Sequence, residues 1–158
     1  MAIYHHTTRM IGRSNGGSPV KALAYISGVQ LSDERTGEFF DFTDKSVEEV
    51  EELVKTALDC GINFFDHADI YGGGKSEELF GQVLEKHPEY REKMIIQTKC
   101  AIVPGKRYDF SKEYIINAVN GSLERLHTDH VEILLLHRPD ALCDPQEVAE
   151  AFDELYVS

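Results

Sequence analysis

The chain has little of what marks several classes of protein. It contains three cysteines in 158 residues, Cys60, Cys100 and Cys143, and their spacing matches no common metal-binding motif. This small, odd number argues against a disulfide-stabilised secreted protein and favours a reducing compartment. No apolar run approaches the ~20 residues that a membrane span needs, and no apolar stretch follows Met1 as in a secretory signal. We therefore expect a cytoplasmic protein that does not engage a membrane.

Positive charge is also scarce. The chain has 16 lysines and arginines against 28 acidic residues, a net charge of −12, which argues against nucleic acid as a partner. The charge is unevenly distributed, because residues 1–32 contain no acidic residue and residues 1–43 are neutral as a whole. Residues 44–158 therefore carry the whole negative charge. This break in composition predicts two unlike segments, 1–43 and 44–158.

The second segment is predicted to alternate helices and strands. Capping residues mark the helix starts, and they are Ser46 (with Glu49 in a capping box), Ser76, Ser111 and Asp144 before Pro145. Short apolar strands are predicted to begin near residues 62, 94 and 131. Alternation of this kind is typical of parallel βαβ units, and the chain lacks the GxGxxG motif of a dinucleotide-binding Rossmann fold. We expect an α/β fold, a partial (β/α)8 barrel of three to four βα units.

Polar side chains close the three predicted strands. Asp66, Lys99 and His137 end them, and Tyr71 follows Asp66 by five residues. The carboxyl ends of barrel strands meet at one rim, where barrel enzymes place their chemistry. There Asp66 would hold Lys99, and the Lys99 charge would lower the pKa of the Tyr71 phenol. Tyr71 could then donate a proton to a developing alkoxide, while His137 orients the carbonyl oxygen.

Each of these residues also has an ordinary structural interpretation. A single Asp, Lys or His at a strand end more often caps a helix, joins a salt bridge or forms a satisfied polar contact. Only the four residues taken together favour a catalytic site.

Four stretches of the chain resemble the aldo-keto reductase family. They are Gly61-Ile-Asn-Phe-Phe-Asp-His-Ala-Asp-Ile-Tyr-Gly72, Ser76-Glu-Glu, Ile96-Gln-Thr-Lys99 and Leu134-Leu-Leu-His-Arg-Pro-Asp140. The resemblance covers about residues 44–158. It implies a (β/α)8 barrel that transfers a hydride between NADPH and a carbonyl compound, without a metal. It also implies that Asp66, Tyr71, Lys99 and His137 form the catalytic tetrad, with Tyr71 as proton donor.

The chain departs from that family in three ways. Arg138 stands after His137 where many members have Trp, so the substrate pocket is expected to differ. The family's first barrel strand is not recognisable in residues 1–43. The family's cofactor-binding residues lie in later strands, so we expect them beyond Ser158 and identify none here.

Residues 1–43 are predicted to form a strand over 2–11, a short helix over 20–27 and a strand over 38–43. They resemble the N-terminus of plasmid mobilisation relaxases of the MobA/MobL type, in which Tyr25 would match the tyrosine that attacks DNA. The His-x-His metal motif of that family is missing, and His5 and His6 cannot replace it because neighbours on a strand point to opposite faces.

We therefore expect an NADPH-dependent reductase of a small carbonyl compound whose activity is limited by a truncated barrel. Two alternatives stay open. One is a DNA-binding or DNA-nicking relaxase fragment that uses Tyr25, and the other is a chimeric fragment without function. Because a partial barrel leaves strand edges unpaired, we also expect self-association.

Overall fold

The computed structural model describes residues 45–157, together with the backbone of three two-residue strands nearer the N-terminus. These strands are β1 (Leu23–Ala24), β2 (Leu31–Ser32) and β3 (Phe39–Phe40). The larger elements that follow are α1 (Val47–Asp59), β4 (Phe64–Asp66), α2 (Lys75–Lys86), β5 (Ile95–Cys100), α3 (Lys112–Leu126), β8 (Ile133–Leu136) and α4 (Pro145–Val157). A small hairpin of β6 (Ile102–Val103) and β7 (Arg107–Tyr108) follows β5.

The main sheet is parallel and has the strand order β1-β4-β5-β8. Phe64 lies opposite Leu23 on one side and Ile95 on the other, and Lys99 lies opposite Leu135. Helices connect β4 to β5 and β5 to β8. This is the α/β architecture with a parallel sheet that the sequence predicted.

The N-terminal segment differs from the prediction. A helix was predicted over residues 20–27, but Leu23–Ala24 form a strand that pairs in parallel with β4. The local helical pattern is overridden because the exposed edge of β4 offers backbone partners to this segment. The strand predicted over 38–43 is present as β3, which pairs antiparallel with β2. The strand predicted over 2–11 lies outside the described residues.

Most helix boundaries follow the predicted capping residues. Ser46 and Glu49 form the complete capping box of α1, and Ser111 caps α3. Asp144 accepts a hydrogen bond from the Gln146 amide at the start of α4. The prediction for α2 was wrong by two residues, because Gly74 rather than Ser76 is its N-cap. Gly74 takes a left-handed backbone (φ +95°) that favours glycine, and this lets the helix begin directly after the preceding turn.

The core lies between the sheet and its helices. Along β5, buried residues alternate with half-buried ones, so that Ile96, Thr98 and Cys100 face the helices while Gln97 and Lys99 lie on the other face. The larger cluster joins α1 and α2 to β4 and β5, and its buried members are Val50, Val54, Ala57, Phe65, Leu79, Phe80, Val83, Leu84, Met94, Ile96 and Leu126. The helices thus cover one face of the sheet, and the Lys99 side chain lies on the opposite face.

A polar cluster secures the amino end of the strands. Arg91 forms a 2.9 Å ion pair with Glu132 and donates to the His130 carbonyl oxygen. Glu132 in turn accepts from the backbone amide of Ile96 at 2.6 Å. These contacts hold β5 beside the start of β8, at the end of the sheet opposite the strand-end side chains. Within residues 45–157, no helix is long and apolar enough to cross a membrane.

Candidate active site

The structure brings the four predicted strand-end residues together. Asp66 is the last residue of β4, Lys99 is the last but one of β5, and His137 follows β8 directly. Tyr71 opens a short 3-10 helix, Tyr71–Gly74, that leads into α2. Since the strands are parallel and adjacent, their carboxyl ends lie at one edge of the sheet, and the loop after β4 places Tyr71 there as well.

Lys99 is held by two oxygens at this edge. Its ammonium lies 2.6 Å from the Asp66 carboxylate and 2.7 Å from the carbonyl oxygen of His67. Both charged side chains are largely buried, with 12% of Lys99 and 5% of Asp66 exposed. Burial lowers the pKa of Lys99, and the hydrogen bond and charge of Asp66 oppose that shift. Asp66 therefore contacts Lys99 directly and favours its charged form.

Tyr71 lies between a cation and an imidazole. The Lys99 ammonium is 5.0 Å from the centre of the Tyr71 ring. The ring of His137 approaches edge-on, with 5.7 Å between ring centres and an angle of 84° between their planes. The Tyr71 ring is therefore set against both a cation and an imidazole at the carboxyl edge of the sheet.

His137 is kept neutral by its surroundings. Burial is the main cause that lowers its pKa, and the charges of Lys99 and Arg138 lower it further, against the opposing charge of Asp66. A neutral imidazole keeps one N–H donor and one acceptor nitrogen. Its Nδ1 is buried and has no hydrogen-bond partner among the described residues. His137 can therefore act as a neutral hydrogen-bonding group at neutral pH.

Backbone hydrogen bonds and a run of glycines shape the loop that carries Tyr71. The backbone amide of Asp69 donates to the Lys99 carbonyl oxygen at 3.0 Å, and that of Tyr71 donates to Ala68 at 3.1 Å. Three glycines in the left-handed region follow, at residues 72, 73 and 74. Residues with side chains rarely adopt such a run, so the glycines allow the tight turn from Tyr71 into α2.

Comparison with known proteins identifies the family of the chain. The sequence model of the Aldo/keto reductase family matches residues 36–158. The chain belongs to the aldo/keto reductase family. The match begins eight residues before the boundary predicted between the two segments, and the division at residue 43 stays a prediction.

Individual relatives are similar over about two fifths of their own length. The chain is 47% identical over 115 residues to an uncharacterized oxidoreductase, YcsN, of Bacillus subtilis, and covers 38% of it. It is 46% identical over 108 residues to a 6-dehydroglucose reductase of Novosphingobium aromaticivorans, and covers 36% of it. These matches span 67% and 65% of the present chain, respectively.

A solved structure shows the same fold. It is the holo form of the aldo-keto reductase AKR11C1 from Bacillus halodurans, with 33% identity and a TM-score of 0.63 over 71% of this chain and 38% of that one. The parallel sheet described above therefore resembles part of an aldo-keto reductase barrel. The resemblance of residues 1–43 to relaxases finds no support in these comparisons, and Tyr25 lies outside the described residues.

The sequence did not predict three neighbours of this candidate site. The side-chain amide of Gln97 donates to Asp66 beside Lys99. His67 is fully buried, and its ring packs against Phe80 at 4.5 Å between ring centres. Glu77 follows the predicted cap Ser76, and it is fully buried and ion-paired with Arg125. Arg125 lies 48 residues after Glu77 in the chain, so no local sequence pattern predicts this pair.

Proposed function

We propose that the chain is an NADPH-dependent oxidoreductase that reduces a small carbonyl compound, with Tyr71 as the proton donor. The observation that carries this proposal is the position of the Tyr71 ring, whose centre lies 5.0 Å from the Lys99 ammonium and 5.7 Å from the centre of the His137 ring. Family membership supports an oxidoreductase. The choice of NADPH over NADH, and the activity of this chain, are part of the proposal.

The side chains of this site move protons and cannot themselves supply a hydride. A phenol, an ammonium, a carboxylate and an imidazole fit a site whose reductant is a nicotinamide cofactor, and Tyr71 and His137 are the described residues that would border it. The bound cofactor would supply a hydride to the carbonyl carbon. The chain's own residues would complete the reaction at the carbonyl oxygen.

Tyr71 would protonate that oxygen as negative charge develops on it. Its O–H bond breaks, a new O–H bond forms on the product alcohol, and the phenolate left behind regains a proton from solvent. Lys99 stabilises the phenolate through its charge, and Asp66 holds Lys99 in place. His137, neutral and half-buried, would donate a hydrogen bond that orients the carbonyl before transfer.

The test is reduction of a panel of aldehydes and ketones, followed as loss of NADPH. We expect Tyr71→Phe to lower kcat by about 100-fold or more, because the variant keeps the ring and loses the acidic proton. Tyr156→Phe is the matched control, since Tyr156 is 91% exposed at the end of α4 and should leave the rate unchanged. Equal rates for the wild-type protein and Tyr71→Phe would contradict Tyr71 as the donor. No turnover of any carbonyl would contradict the proposed activity of this chain.

The cysteines support a reducing, cytoplasmic location as part of this proposal. All three are free thiols, and Cys100 is buried beside the site residues. Burial raises the pKa of Cys100 to about 12, so it stays a protonated, unreactive thiol. The proposed partner is a small carbonyl compound, rather than a membrane or a nucleic acid.

A further inference from the structure

A buried ion pair lies directly behind the proposed site. Glu77, in the first turn of α2, has no exposed surface. Its Oε2 accepts a hydrogen bond from Nε of Arg125 on α3 at 2.9 Å, and it forms an ion pair with Nη2 of the same side chain, also at 2.9 Å. A carboxylate removed from water needs such partners, because an unpaired buried charge is strongly unfavourable.

The second oxygen of Glu77 reaches the strand that carries Lys99. The hydroxyl of Thr98 donates to Oε1 of Glu77 at 2.6 Å, and Thr98 is the residue just before Lys99. Glu77 itself lies only six positions after Tyr71, beyond the turn of three glycines. One carboxylate thus ties the Tyr71 turn to the Lys99 strand, on the face of β5 opposite the Lys99 side chain.

Arg125 is closely fitted against the same turn. A Cβ added to Gly74 would lie 3.1 Å from Cδ of Arg125, and one added to Gly121 would lie 3.1 Å from its Nη1. The arginine side chain therefore runs between the glycine that ends the Tyr71 turn and a glycine of its own helix. Arg125 thus lies close to the turn as well as to Glu77.

We propose that Glu77, clamped by Arg125 and Thr98, is a positioning residue that sets the separation between the Tyr71 ring and the Lys99 ammonium. This inference rests on the proposed function, since it assigns a role in preparing Tyr71 as the proton donor. Glu77 does not touch the reacting atoms. It acts by fixing the turn that carries Tyr71 relative to the strand that carries Lys99.

The electrostatics agree with this role. The Glu77 charge adds to that of Asp66 in opposing the effect of burial on the pKa of Lys99. Among the described residues, Lys99 on β5 and His137 after β8 lie against the Tyr71 ring, and Asp66 on β4 is paired with Lys99. If the Glu77 tie is released, Lys99 and Tyr71 separate, and the phenolate loses part of its stabilisation.

The test is the titration of Tyr71 by NMR, with tyrosine labelled with ¹³C at Cζ and the Tyr71 signal assigned from Tyr71→Phe. Thr98→Val keeps the shape of the side chain and removes the donor to Glu77. We expect it to raise the apparent pKa of Tyr71 by about half a unit, a roughly threefold change in the acid constant. Thr98→Ser keeps the hydroxyl and should restore the wild-type titration.

Two control variants separate positioning from general stability. Lys99→Met should raise the pKa of Tyr71 by about one unit or more, because it removes the cation itself. Arg91→Gln breaks the comparable pair with Glu132 at the opposite end of the strands, and should lower the melting temperature without moving the Tyr71 titration. Thr98→Val removes one hydrogen bond and leaves Glu77 paired with Arg125, so it avoids the unpaired buried charge that Arg125 variants would create.

The outcomes distinguish the inference from the proposed function. If Lys99→Met shifts the titration but Thr98→Val does not, the positioning role of Glu77 is wrong and the proposed function stands. An equal shift in Arg91→Gln and Thr98→Val also overturns the positioning role, because it shows a general loosening of the sheet. If Lys99→Met leaves the titration unchanged, Lys99 does not prepare Tyr71, and the proposed mechanism fails first.

Discussion

His67 and Asp69 stand on either side of Ala68 and respond to acid in opposite ways. Burial, with a smaller effect of the Lys99 charge, lowers the pKa of His67 to about 3. Burial and the nearby Glu77 raise the pKa of Asp69 to about 6. Between about pH 4 and 6 the unfolded chain protonates His67 while the folded chain does not, and the reverse holds for Asp69. His67 therefore destabilises the fold as the pH falls, and Asp69 stabilises it.

We predict that His67→Leu removes the first of these effects. The unfolding free energy of the variant relative to wild type should rise by ~1.4 kcal/mol for each pH unit below about 6.5, until the pH nears the folded-state pKa. Urea unfolding at several pH values measures this difference. Asp69→Asn is the control of opposite sign, since its relative stability should fall over the acidic window. A pH-independent difference for His67→Leu would contradict a neutral, buried His67.

The sequence located the four strand-end residues, but it did not predict the buried contacts behind them. Asp66, Lys99 and His137 could be located because they lie at or directly after the ends of short apolar strands, and parallel strands end at one edge. Tyr71 follows Asp66 by five residues. The contact of Glu77 with Arg125 and Thr98 could not be predicted, because it depends on how α2 packs against α3. The burial of His67 could not be predicted from the sequence, because it depends on packing against Phe80.

At the scale of elements, α2 and α3 are brought together by one glycine. A Cβ added to Gly81 would lie 2.0 Å from the carbonyl oxygen of Arg125, which is backbone and cannot turn aside. The two helices therefore approach at a point where no side chain fits. This approach also delivers Arg125 to Glu77.

We predict that Gly81→Ala destabilises the fold by about 1–3 kcal/mol, despite the higher helix propensity of alanine. The matched control is Gly121→Ala, also inside a helix, whose new Cβ would meet only the flexible end of Arg125 at 3.1 Å. Urea unfolding of both variants measures the difference. Equal stabilities of the two variants would contradict the close approach of the helices.

The elements that were predicted best are those with strong local signals. The capping box of Ser46 and Glu49 and the Pro145 start of α4 lie where the sequence placed them. Strand β1 was predicted as part of a helix, because two residues that pair with β4 carry no local pattern of their own. The start of α2 was misplaced because Gly74 caps it through its backbone conformation, which a search for polar caps cannot find.

At the scale of the whole molecule, the sheet has an open side. Within the part of the chain that the structure describes, β8 pairs only with β5, and its four residues are half-buried. Three apolar side chains at the same end of the chain are strongly exposed, and they are Leu142 (92%), Tyr156 (91%) and Val157 (81%). An unpaired strand edge beside exposed apolar groups favours association with another chain.

We predict that the purified chain self-associates through β8. Sedimentation velocity should show species larger than the 17.9 kDa monomer, in a proportion that rises with concentration. Ile133→Lys places a charge on this edge and should shift the protein towards monomer. Tyr156→Lys is the comparison, because it adds the same charge to the exposed end of α4. A wild-type protein that stays monomeric at all concentrations would contradict the prediction.

A titration of the purified chain with NADPH, followed by nicotinamide fluorescence, tests the proposed reductase site. We expect a saturable change that weakens in Lys99→Met, because Lys99 would organise the residues that border the nicotinamide. No saturable change at NADPH concentrations up to the millimolar range would contradict the claim that these four residues form a working reductase site in this chain.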